Sequence, residues 1–244
     1  MNENAIVVQN LSISYKAMKG RSSRRTALFF SDRLKTIEAV KNVSFEVKTG
    51  QIVGIMGKNG SGKSTLLRSI AGVFAPNSGS IELFGHSVSL LSIGVGFQNH
   101  LSGHENIYLS GLLMGFTEKQ IKERYDEIVE FSGLGEFIHM PVKSYSSGMF
   151  SKLAFSITAV LETDIMLIDE VLSVGDAAFK KKSYAKMQEL ISNSERTVLI
   201  VSHDLSTLRK LCNEIIWIHN GELVAQGLPE EIIPKYEEFM SKEK

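Results

Sequence analysis

"QIVGIMGKNGSGKSTLLRSIAG", residues 51–72, decides the fold. Its first seven residues form an apolar strand pattern, residues 57–65 ("GKNGSGKST") fit G-x-x-x-x-G-K-[ST], and the stretch from Gly62 onward takes helical spacing. A glycine-rich loop between a strand and a helix lets the backbone fold back so that its N–H groups surround phosphate oxygens. The helix N-terminus adds favourable potential for an anion. Here Gly57, Asn59, Gly60, Ser61, Gly62 and Thr65 would frame the phosphates, Lys63 would reach the β- and γ-phosphates, and the Ser64 hydroxyl would ligate Mg2+. The alternative is a glycine-rich turn that matches by chance; the correct flanks argue against it.

On either side of this unit, apolar β-branched runs alternate with helical patterns, the order of a mostly parallel sheet wrapped by helices. Residues 5–15, 39–47, 51–57, 164–170 and 196–202 read as strands, as do "SIELFG" and "VSLLSIGVGF". Residues 214–227 read as a hairpin around Asn220-Gly221. From Glu105 to about Phe137 the apolar spacing is helical, and "PEEIIPKYEEFMSKEK" is a last helical segment. No internal repeat or low-complexity linker interrupts the series.

The 244 residues suffice for one large α/β domain with a substantial core. Lys+Arg and Asp+Glu both number 27, so net charge gives no reason to expect a polyanionic partner. The single cysteine, Cys212, has no companion for an intrachain disulfide or a metal cluster, which fits a reducing compartment. The first residues lack the pattern of a secretory signal, and no apolar run reaches the roughly 18 residues that cross a bilayer. If the protein works at a membrane, another chain supplies the spans.

A nucleotide site needs a carboxylate near its metal, and "IMLIDE" ends a hydrophobic strand with two. Asp169 is placed to support Mg2+ and Glu170 to polarise an attacking water; two solvated acids at a strand end are the plainer reading. In "VSHD", His203 either hydrogen-bonds a γ-phosphate or is an ordinary surface imidazole. Gln98, in "GVGFQN", either faces metal and water or caps the next segment. "YSSGM", residues 145–149, places serine hydroxyls and backbone N–H groups at the start of the helix "MFSKLAFSITAVL". That is a second anion-attracting helix end, or a serine-capped helix and nothing more.

The ordered set "GKNGSGKST", "GFQ", "YSSGM", "IMLIDE", "SVGD" and "VSH" resembles the ATP-binding cassette of ABC transporters, over nearly the whole chain. The resemblance implies a P-loop NTPase fold: a RecA-like α/β core, an antiparallel β subdomain and a helical subdomain over about residues 99–162, in a single domain with a last helix over 228–244. In that family two cassettes dimerise head to tail, and each signature motif closes over ATP held by the other subunit. Ser146, Ser147, Gly148 and Met149 would then contact the partner's nucleotide. By the same resemblance Tyr15 stacks on adenine, and Gln98 joins Ser64 and Asp169 around Mg2+ in the loop coupled to a membrane subunit. Ser173 to Asp176 form the loop passing between subunits, Glu170 is the general base and His203 the switch. One departure is plain: the usual signature is Leu-Ser-Gly-Gly-Gln, and Met149 cannot hydrogen-bond as that glutamine does.

"FSGLGEFIHMPVKSYSSGM", "VLSVGDAAF" and "PKYEEFM" resemble, more narrowly, cassette subunits that export lipid-linked cell-surface polysaccharides. Wall teichoic acid exporters are the most similar, with O-antigen and capsule exporters close behind. That implies a homodimer at the cytoplasmic face of the membrane, two copies of a polytopic permease, a lipid-linked glycopolymer as cargo and no nucleic acid. Some O-antigen cassettes carry a further carbohydrate-binding domain, which is not expected here. Residues 16–36 form a basic insertion, with Lys16, Lys19, Arg21, Arg24, Arg25, Arg33 and Lys35 against Asp32 as its only acid. Leu28, Phe29 and Phe30 add an apolar block suited to a headgroup layer; a solvated basic loop is the alternative. The resemblance implies a helical insertion beside the membrane subunit. A soluble cassette protein acting on ribosomes or DNA is the rival class, but it usually holds two cassettes or a long coiled-coil insertion. An importer or drug-exporter cassette is a nearer rival, and a binding module without turnover is hard to square with Glu170.

Overall fold

The computed structural model describes residues 3–18, 34–91, 96–169, 175–192 and 196–242. Near its start, a pattern of buried residues builds β1 (Asn4–Met18) and β2 (Leu34–Lys48) into a long antiparallel pair. Buried residues face each other across it: Ile6 opposes Val47, Val8 opposes Phe45 and Leu11 opposes Val43. β4 (Ser78–Glu82) pairs with the other edge of β1, giving a three-stranded sheet ordered β2-β1-β4.

The second sheet holds β3 (Ile52–Met56), β5 (Val88–Leu91), β6 (Ile165–Asp169), β7 (Thr197–Val201), β8 (Glu214–His219) and β9 (Glu222–Gly227). Its order is β5-β6-β7-β3-β8-β9, parallel except for β9. Every position of β6 and β7 is buried, as both-face coverage of a parallel strand requires. The β8–β9 hairpin turns at Asn220 (φ 49) and Gly221 (φ 85), the paired positive φ that suits a two-residue turn between twisted strands.

The helices are α1 (Lys63–Ile70), α2 (Gly103–Leu113), α3 (Glu118–Ser132), α4 (Ser147–Val160), α5 (Ala177–Ser192), α6 (Leu205–Leu211) and α7 (Pro229–Lys242). Two of them start with capping boxes, Ser102 with Glu105 on α2 and Thr117 with Gln120 on α3, each satisfying N–H groups that the helix itself leaves unpaired. Three apolar clusters join the layers. One lies between the antiparallel sheet and the parallel sheet with α1, around Leu11, Phe45, Ile55, Leu66 and Leu167. A second covers the opposite face, where Met56, Ile168 and Trp217 meet Met187, Leu208 and Ile233 of the helices. The third belongs to α2, α3 and α4, through Ile107, Ile121, Ile128, Leu153 and Ile157. This is the mixed α/β architecture expected from the sequence.

The insertion differs from expectation at its ends. Lys16 opposes Thr36, Ala17 opposes Lys35 and Met18 opposes Leu34, so both ends continue the β1–β2 ladder instead of starting a helix. The remainder of the insertion, residues 19–33 with Lys19, Arg21, Arg24, Arg25 and Arg33, lies outside the described residues, as do Glu170 and Ser173.

Candidate active site

The sheet order sets β6, β7 and β3 side by side, so three carboxyl ends share one edge. From them come Asp169 at the end of β6, His203 just after β7, and the phosphate loop after β3. Open parallel sheets hold ligands at this edge because each strand end is followed by a loop or helix start whose groups point outward.

The loop's shape depends on two glycines. At Gly57 (φ 151) a Cβ would lie 2.0 Å from the Ile218 carbonyl of β8, and at Gly62 (φ 105) it would lie 2.1 Å from the Ala39 carbonyl of β2. Any side chain would push the loop off the strands that brace it. Lys63 is buried (5% exposed), and its Nζ donates to the carbonyls of Gly57 and Lys58, both at 2.8 Å. Helix α1 begins at Gly62 with no side-chain cap and no acid in its first turn, whereas α2, α3 and α4 each have a capping side chain. A helix start left uncapped beside a buried lysine fits an anion.

Ser64 Oγ donates to Asp169 Oδ1 at 3.0 Å, and Asp169 is 8% exposed. This hydroxyl–carboxylate pair is a hard-oxygen donor set of the kind Mg2+ takes. Tyr15 is 40% exposed; its hydroxyl shares a 2.5 Å hydrogen bond with Thr65 Oγ1, and its ring centre is 6.5 Å from that of Phe74. One cleft of about 340 Å3 is lined by Tyr15, Asn59, Gly60, Gly62, Lys63, Ser64, Thr65 and His203 with Ile37, Glu38, Ala39 and Val201; Asp169 does not line it and is tied to it through the Ser64 hydrogen bond. Gly57 and Ser61 lie beneath it in the loop, and the Ser61 hydroxyl is buried without a hydrogen-bond partner.

Other expected residues stand apart from this cleft. Gln98 is exposed and does not line it. Its backbone is fixed by the fully buried Asn106, which accepts from Gln98 N at 2.8 Å and donates to Gln98 O at 3.1 Å and to Ser102 O at 2.8 Å. Ser146 N-caps α4 by accepting from Met149 N at 3.2 Å. Ser147 is exposed and Gly148 half-buried in the first turn of that helix. Met149 packs on the α2–α4 cluster, so where the usual signature has a polar amide this chain has an apolar anchor. Tyr145 joins the same cluster, and its hydroxyl donates to the Phe137 carbonyl at 2.7 Å. Asp176 accepts from Phe179 N at 2.9 Å and pairs with Lys152 of α4 at 2.5 Å. The Lys152 hydrogen bond holds its carboxyl down to about 2.

Sequence reasoning missed Asn106 and the β2 residues Glu38 and Ala39. Asn106 lies in the legible "SGHEN" capping box, but its partner Gln98 is eight residues back in a loop. Glu38 and Ala39 reach the cleft only through the register of β1 on β2, which no local motif encodes.

The profile of the ABC transporter family matches residues 40–173. Among curated proteins, the chain is 45% identical to the teichoic acids export ATP-binding protein TagH of Lactococcus lactis over 98% of its own length, but spans only 52% of that relative. It is 42% identical to TagH of Staphylococcus haemolyticus, covering 97% of this chain and 89% of the relative. It is 44% identical to the O-antigen export system ATP-binding protein RfbB of Klebsiella pneumoniae, covering 83% and 82%. Among solved structures, an ATP-binding subunit of an ABC transporter superposes with a TM-score of 0.72 at 22% identity, covering 95% of this chain and 93% of that one. A dimeric ATP-binding cassette bound to ADP and Pi gives 0.67 at 21% identity, covering 92% and 98%. The solved structures support the fold, while the profile and the near-full-length Staphylococcus relative carry the kinship: the chain belongs to the ABC transporter family.

Proposed function

We propose that this chain is the ATP-hydrolysing subunit of an exporter that moves a lipid-linked cell-surface polysaccharide across the cytoplasmic membrane, with teichoic acid the polymer class its relatives favour. The observation that carries this is identity above 40% to export proteins named for teichoic acid and O-antigen, spread along the chain and not confined to the phosphate loop. Among the described residues no helix is long and apolar enough to cross a membrane; in this reading a permease supplies the transport path.

In this reading Lys63, seated on the Gly57 and Lys58 carbonyls, reaches phosphate oxygens from that seat, and the uncapped start of α1 supplies N–H donors around them. Ser64 and Asp169 would hold Mg2+, with Gln98 drawn in on closure; the ion supplies charge neutralisation for the β- and γ-phosphates. Tyr15 stacks on adenine, Glu170 polarises the attacking water and His203 hydrogen-bonds the γ-phosphate. Two cassettes pair head to tail, so that the α4 start of one, Ser146 to Met149, faces nucleotide on the other, with Ser173 and Asp176 between them. The chemistry is positioning and charge stabilisation, and closure does work on two permease subunits at the cytoplasmic face of the membrane.

The test is purification of the tagged chain from its native membranes in mild detergent, with ATPase assays of wild type and Glu170→Gln. We expect a polytopic partner and loss of turnover to below about one-hundredth of wild type in the variant. Recovery of ribosomes or DNA in place of a membrane protein would remove the export reading and leave the nucleotide site standing.

A further inference from the structure

The phosphate loop is held from below by a part of the chain that no motif describes. Ile218 O of β8 fills the space where a Gly57 side chain would go, and Gly221 N of the following turn donates to Ser61 O at 2.9 Å. Helix α7 in turn covers this hairpin with an aromatic face. Tyr236 and Phe239 set their rings edge-on to Trp217, with centres 5.5 and 5.1 Å away, and Phe239 also meets His219 at 5.0 Å. Phe239 then reaches past the hairpin to the loop itself: the Lys58 ammonium lies 5.9 Å from its ring centre. Lys58 is the residue whose carbonyl receives Lys63 Nζ at 2.8 Å. One side chain of α7 therefore touches the residue that seats the phosphate-binding lysine.

We propose that Phe239 is a positioning residue for the phosphate loop. By holding Lys58 from α7 it keeps the Gly57 and Lys58 carbonyls where they seat Lys63, and so sets the affinity for nucleotide. The contact is a cation over an aromatic face, and the benefit is preorganisation: a loop already in place loses less freedom when phosphate arrives. This inference rests on the nucleotide-site reading above. It implies that anything displacing α7 is felt at the phosphates.

The test measures binding of a fluorescent ATP analogue with Mg2+ to the purified full chain for wild type, Phe239→Leu, Phe239→Trp, Lys58→Met, Lys58→Arg and the Lys58→Met/Phe239→Leu double variant, with a melting curve for each. We expect Phe239→Leu and Lys58→Met each to raise Kd about two- to fivefold, the size of one partly exposed cation–π contact. Phe239→Trp and Lys58→Arg should bind as wild type does, and the double variant should be no weaker than the worse single. A merely structural α7 would lower the Tm of Phe239→Leu and leave Kd unchanged, which overturns the proposal. So would additive losses in the double variant, because Lys58 would then act on phosphate directly. If Phe239→Leu does not fold, Lys58→Met decides: unchanged Kd overturns the proposal, and a rise rescued by Lys58→Arg supports it. A wild type that binds no nucleotide would bring down the site reading and this inference together; one that binds with variants unchanged removes only the inference.

Discussion

Cys212 shows what burial alone does to a reactive group. It closes α6, packs on Gly54 of β3 and Leu208, and burial pushes its thiol from 9.0 up to about 12. A thiol that stays protonated is a poor nucleophile. At pH 8 a disulfide reagent should therefore label the folded chain only as fast as it unfolds, and label one thiol rapidly in denaturant; rapid labelling without denaturant would contradict this packing. Because the folded value is raised, the thiol's contribution to stability is complete below pH 9 and lost as pH climbs toward 12. The lone cysteine that the sequence leaves without a disulfide companion is held by the structure as a plain packed thiol. Met149 was less legible: its motif position suggested a missing hydrogen bond, but its role as an anchor depends on a cluster assembled from three helices, which position alone does not encode.

Among the elements, α4 carries two demands at its first residue. The Ser146 hydroxyl caps the helix in this structure, and the proposed mechanism also turns that helix end toward a partner's phosphate. The two roles can be separated by substitution. Ser146→Ala removes the cap and should cost about 1 kcal/mol, a fall in Tm of roughly 2–4 °C for a chain this size. Ser146→Asp caps equally well and should restore the Tm, but it sets a carboxylate against an incoming phosphate. We expect ATPase activity of the assembled transporter to stay low in both variants, while only the alanine variant melts early. Activity that follows Tm would confine the serine to capping. Elements of this kind were mostly legible, because caps, the Asn-Gly turn and strand alternation are local. The strand order, which sets β6 and β7 beside β3, comes from long-range pairing and left no mark in the sequence.

The whole molecule has no net charge, yet one turn concentrates opposite charges from four elements. Glu162 lies between α4 and β6, that is, between the helix of the signature motif and the strand of Asp169. Arg196 at the start of β7 donates to it at 2.5 Å, Lys186 of α5 lies 3.5 Å away, and Arg124 of α3 lies 3.9 Å away while also donating to Val160 O at 3.1 Å. Arg196 is 8% exposed and Glu162 35%. Partial burial pushes the Glu162 carboxyl upward, but the Arg196 hydrogen bond and charge, with Lys186 and Arg124 behind them, leave it below the ordinary 4.5. A depressed carboxylate adds stability above that ordinary value and loses it as pH falls below it. Glu162→Gln keeps the shape and removes the charge, leaving Arg196 buried without its counter-ion. At pH 7 the variant should lose about 1–2 kcal/mol, less than a fully buried pair because solvent screens the exposed part of Glu162. Urea unfolding of wild type and variant at pH 7 and pH 3 measures the difference. The gap should be smaller at pH 3, on the side of 4.5 where a depressed carboxylate loses its contribution; an equal gap at both pH values would assign the loss to packing instead of charge. Since the three cations come from α3, α5 and β7, the same charge that stabilises the chain also ties the α2–α4 helices to the strands of the candidate site.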